Sequence, residues 1–110
     1  MTELIAHDRV SKALQYLIDT DESCAKAKSY YEGLKDQTST IEGTLYLQVE
    51  GKTVADRDAR VASHELIKQH QEKIQNANTD YEIMRNRRKT SELIIECWRT
   101  EQANRRRGNI

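Results

Sequence analysis

The residues of this chain best suited to chemistry are its arginines. Arg85, Arg87, Arg88, Lys89, Arg99, Arg105, Arg106 and Arg107 crowd its final quarter, and all but one of these bases are Arg. The guanidinium group is planar and forks onto phosphate, and it also stacks on bases. At about 100° per residue on a helix, Arg85, Arg88, Lys89, Arg99 and Arg106 fall within roughly a third of the circumference. A basic stripe of this kind is the electrostatic footprint of a nucleic-acid contact. Glu92 and Glu96 lie inside the same stripe. A solvated face laced with Arg88–Glu92, Lys89–Glu92 and Glu96–Arg99 pairs accounts for the same residues, each pair adding about 0.3 kcal/mol. Arg105 to Arg107, followed by Gly108, read either as a basic tail for phosphates or as charges that suit a helix C-terminus. Trp98 is the one Trp. It is able to stack on a base, although its spacing from Ile94 and Ile95 reads as core.

Other chemistry is not written here. His64-Glu65 and His70 set the second histidine at i+6, so no zinc-protease helix with its i, i+4 pair is expected. His70 reads as a packed or hydrogen-bonded interface residue and His7 as solvated. Cys24 and Cys97 have no CxxC partner and read as small buried residues. Their number and spacing fit a reducing compartment. The dispersed glycines form no phosphate loop, and the carboxylates are flanked by bases. No catalytic residues, no metal site and no cofactor are therefore expected, and the chain is not read as an enzyme.

These side chains have to be positioned by helices. The 110 residues contain no Pro. Pro costs roughly 3 kcal/mol inside a helix, so its absence fits long uninterrupted ones. Residues 2–18 read as an amphipathic first helix through Val10, Leu14, Leu17 and Ile18. The polar run 19–23 either ends that helix or fuses it to the next. From Cys24 the sequence Ala27, Tyr31, Leu34, Thr38, Ile41, Leu45 steps by 3 and 4, a heptad seam. Residues 44–49 also fit a short strand. Gly51 ends the second helix in the C′ role. Thr53 to Asp56 start a short connecting helix that runs to about Val61, and Ser63-His64-Glu65 cap the last one. That last helix carries Leu66, His70, Lys73, Ala77, Tyr81 (or Asp80), Met84, Arg88, Ser91, Ile95 and Trp98 at 3–4 spacing. Forty residues would give a rod of about 60 Å.

The expected fold is all-α. It is an antiparallel, coiled-coil-like helical hairpin with a short N-terminal helix and a long C-terminal helix, and it is oligomeric. The chain forms one domain overall. Residues 1–50 hold the N-terminal helix and first arm, 51–62 the connector, 63–107 the second arm and 108–110 a tail. The formal net charge is zero. Yet residues 1–84 carry 10 basic against 15 acidic groups, and residues 85–110 carry 8 against 3. No apolar run is long enough for a transmembrane span. The opening residues MTELIAHDRV lack a signal-peptide pattern. The expected location is cytoplasmic, with no membrane partner.

The final helix reads Tyr81-Glu82-Ile83-Met84-Arg85-Asn86-Arg87-Arg88-Lys89, then Leu93-Ile94-Ile95-Glu96-Cys97-Trp98-Arg99. In layout it resembles the UvsY-type recombination mediators of T4-like phages: an Arg-containing linker, a long helix, an Arg/Asn-rich middle and a Trp-Arg end. The nearest counterpart of that family's Lys-Ala-Arg segment is the stretch from Lys52 to Arg60, with Asp56 and Asp58 among its bases. The resemblance implies a small helical homo-oligomer in the host cytoplasm that binds single-stranded DNA and helps load a recombinase past the single-strand binding protein. Arg85, Arg88, Lys89 and Arg99 would contact phosphates, with Arg105, Arg106 and Arg107 as a second patch. The alternative is a phage adaptor or assembly module, or an inhibitor of a host nuclease or defence complex, acting through protein contacts.

Overall fold

The computed structural model describes residues 4–108, all of whose regular structure is helical. Four helices follow in order: α1 (His7–Asp36), α2 (Thr38–Gln48), α3 (Val54–Ala62) and α4 (Glu65–Arg106). The separate short N-terminal helix is not formed. Residues 19–23 continue α1, because Leu17, Thr20 and Cys24 carry the buried stripe through the polar run without interruption. The expected start at residue 2 lies outside the described residues. The alternative strand at 44–49 is also overruled, since α2 runs helical to Gln48.

The chain divides into two compact units, Met1–Ala25 with Glu82–Ile110, and Lys26–Tyr81. In the second unit, Ala27, Tyr31, Leu34, Thr38, Ile41 and Leu45 are all buried or half-buried, as their spacing requires. Tyr31 stacks on Tyr81 at 6.4 Å between ring centroids, and Thr38 hydrogen-bonds His70 Nε2 at 3.0 Å. Residue numbers rise on one partner as they fall on the other, so the pairing is antiparallel. The core is Leu45, Val61 and Ile67, flanked by Ile41, Tyr46 and Val49. Burying each such aliphatic side chain stabilises by about 2 kcal/mol.

The connector works as its residues suggest. Thr53 is the N-cap of α3, and its hydroxyl accepts from the Asp56 amide at 3.1 Å. His64 Nδ1 accepts from the Leu66 amide at 3.1 Å and so covers the start of α4. Gly51 differs from expectation. Among the described residues Gly108 alone has a positive φ (72°), so Gly51 is not a left-handed C′ residue. It is small because a Cβ there would meet Arg57 Cγ at 2.9 Å. Gly108 takes the C′ role instead, after α4.

The phase of α4 near its start also needs correction. Leu66 is 51% exposed, whereas Ile67 is 3% exposed. Likewise Lys73 is exposed and Ile74 half-buried. The stripe Ile67–His70–Ile74–Ala77–Tyr81 keeps 3–4 steps, burying Ile67 and half-burying Ile74. The Leu66–Lys73 phase would bury an ammonium group, which is costly without a partner.

In the first unit the pairing is antiparallel too. The ring of His7 meets Trp98 edge-on at 6.3 Å, and Arg88 reaches Leu17, Thr20 and Asp21. Met84, Ile95 and Trp98 are half-buried and Ser91 is buried. Cys24 is half-buried, but Cys97 is exposed rather than packed, because it falls one position before the seam residue Trp98.

Candidate nucleic-acid interface

No Gly or Pro interrupts α4, so its last turns hold the arginines on a continuous helical scaffold. Thr90 bonds back to the Asn86 carbonyl at 3.1 Å, so even this poor helix former is satisfied within the helix. The stripe of bases then separates into three groups by what each guanidinium or ammonium touches.

Arg88 is turned inward and its side chain is only 18% exposed. Its Nη1 donates to the Leu17 carbonyl and to Thr20 Oγ1, both at 2.8 Å, and its Nη2 donates to Asp21 Oδ1 at 2.7 Å. Thr20 in turn donates to the Tyr16 carbonyl at 2.7 Å, which leaves its lone pairs facing Arg88. The expected Arg88–Glu92 pair is replaced by this clamp onto α1. Arg105 is also partly withdrawn: its Nη2 lies 3.8 Å from Glu101 Oε1. Glu101 is 5% exposed, and its Oε2 accepts from the Leu4 amide at 2.9 Å. Sequence reasoning missed this carboxylate, although it stands three positions after Trp98 and so continues the seam spacing, because the series read from the sequence stops at Trp98.

Arg85 forms the second group. It is exposed and shares both Glu82 oxygens at 3.3 Å, an i,i+3 contact open to solvent. Such exposed pairs are worth little and are readily exchanged.

Lys89, Arg99, Arg106 and Arg107 form the third. All are exposed, and among the described residues none makes a side-chain hydrogen bond or ion pair. The Lys89–Glu92 and Glu96–Arg99 pairs expected from spacing are not made. Trp98 stands beside this group. It is half-buried against His7, and it lines an open groove of about 590 Å³ together with Arg99, Ala103, Arg106 and the carboxylate of Glu96. A smaller hollow of about 280 Å³ is lined by Cys24, Arg85, Arg88, Lys89 and Glu92. An aromatic face beside guanidinium groups is the pairing that single-stranded nucleic acids use, with bases stacking and phosphates pairing.

Among the described residues no group of three or more His, Cys, Asp or Glu side chains is arranged to hold a metal ion. No described helix is long and apolar enough to cross a membrane. No protein-family model, curated protein or solved structure matches the chain.

Proposed function

We propose that this chain is a non-catalytic helical protein that binds single-stranded DNA along the exposed face of the C-terminal half of α4. Its role is that of a recombination accessory, working as a homo-oligomer in the cytoplasm of a phage host with a recombinase or single-strand binding protein as partner. Arg85, Lys89, Arg99 and Arg106 meet phosphates, Arg107 extends the patch, and Trp98 offers a stacking face. Arg88 and Arg105 belong to the fold. The observation that carries the reading is that Lys89, Arg99 and Arg106 are exposed without partners while Trp98 shares a groove with two of them.

The test is the anisotropy of a labelled oligonucleotide. Four phosphate contacts on a single strand give a slope of about −2.8 in log affinity against log salt, so affinity falls about 50-fold between 50 and 200 mM salt. Trp98 emission is quenched on binding. Absence of binding at the lower salt, or binding indifferent to salt, overturns the proposal.

A second reading is a protein adaptor. It is favoured by Leu14 and Ile18, exposed one turn apart on α1, and by exposed Leu93 on α4. Under that reading, substituting Leu14 and Ile18 with Ser abolishes partner binding, and the Arg85, Lys89 and Arg99 changes leave it intact.

A further inference from the structure

A groove of about 440 Å³ opens in the second unit, walled by α2, α3 and the start of α4. Its floor is apolar, with Tyr46, Val61 and Ile67 presenting the edge of the core. Glu42 and Asp58 stand on its walls, both exposed, and no Lys or Arg lines it. Gly43 lines it as well. That glycine sits in the interior of α2, where it costs about 1 kcal/mol relative to Ala. A Cβ added there would meet nothing within 4 Å. No contact inside the chain therefore asks for a glycine. A bare backbone facing an open groove does serve a close-approaching helix from outside.

We propose that this groove docks the basic end of α4 from a second copy of the chain, with Arg106 and Arg107 of that copy meeting Glu42 and Asp58. Charge complementarity selects the occupant. Two exposed carboxylates and no Lys or Arg line the groove, and the neighbouring Arg57 is held over the ring of Tyr46 at 5.5 Å. Arg106 and Arg107 are exposed cations with no intrachain partner among the described residues. Two different patches meet in this contact, so it is heterologous, and repetition closes a ring or extends a chain of subunits. The proposal gives a mechanism to the self-association part of the function proposed above. Docking withdraws Arg106 and Arg107 of that copy from the phosphate patch and leaves Arg85, Lys89 and Arg99 open, so a docked copy keeps three of the four phosphate contacts and a free copy keeps all four.

Sedimentation velocity on the full chain tests it. At about 50 mM salt the wild type sediments above its 12.8 kDa monomer mass, increasingly so with concentration, and it reverts to monomer at about 500 mM salt. The double variants Glu42→Lys/Asp58→Lys and Arg106→Glu/Arg107→Glu are each monomeric alone. Mixed, they associate again, because each groove then faces a tail of opposite charge. Gly43→Leu keeps the helical circular dichroism and self-associates at least tenfold more weakly. A monomeric wild type at low salt, or a mixture of the two charge variants that stays monomeric, overturns the docking. Binding of a short oligonucleotide, which one copy supports, is not weakened in Gly43→Leu, whose Arg106 is released to phosphate, so loss of assembly is read apart from loss of phosphate contact. If Gly43→Leu loses both together with its helicity, the glycine serves the fold and the docking assignment fails.

Discussion

The two units solve the same packing problem with different side chains. In Lys26–Tyr81 the seam is filled by Leu34, Leu45, Ile67 and Ala77, closed by Val61 of α3, with the Thr38–His70 bond as a polar layer. In the other unit the buried positions include Ala13, Ser91 and Glu101, and Arg88 spans the helices by hydrogen bonds. Apolar burial is non-directional and stabilises whatever register hides the most surface. A guanidinium held by a carbonyl, a hydroxyl and a carboxylate fits only one register. Replacing such polar contacts by apolar ones is often neutral for stability. The first unit thus exchanges core strength for a fixed alignment of α1 with α4.

This contrast is broken most strongly in the second unit. Leu45→Ala removes the most buried core side chain and leaves a cavity, so it should cost about 3 kcal/mol in urea unfolding. Hydrogen exchange should quicken first in α2 and α3. In the first unit Arg88→Ala withdraws three hydrogen bonds, one of them to a charged partner, and should cost about 2 kcal/mol. Its effect on exchange should fall on α1 before residue 25 and on α4 beyond residue 82. A cost below about 0.5 kcal/mol would show that the clamp is dispensable. Thr53→Ala removes the cap of α3 and should cost about 1 kcal/mol, with the loss confined to the second unit.

Much of the second unit was legible in the sequence because its signals are local. The steps from Ala27 to Leu45 all fall on buried or half-buried residues, and Thr53 with Asp56 announced the cap. In the first unit the expected face of Val10, Leu14, Leu17 and Ile18 failed at Leu14 and Ile18, which are exposed while Ala13 is buried. The phase of α4 was misread where Leu66 and Ile67 are neighbours. Either begins a 3–4 series, and only the cost of burying Lys73 rather than Ile74 decides between them. Polar residues 19–23 fitted either a break or a fusion, and helix continuity followed the seam through Thr20 rather than the capping preferences around it. The role of Arg88 was illegible for a different reason. Local spacing offered it Glu92, while its actual partners stand on α1, some seventy positions away. The groove beside Gly43 depends equally on residues distant in sequence.

The division of the basic stripe into inward and outward members is the claim on which the functional account stands. Its most direct test is the salt dependence of oligonucleotide affinity in two single variants, Arg88→Gln and Lys89→Gln, one position apart. Lys89→Gln should flatten the slope of log affinity against log salt by about 0.7, one phosphate contact's share on a single strand, while Arg88→Gln leaves the slope at its wild-type value. A slope flattened by Arg88→Gln and untouched by Lys89→Gln would contradict the account.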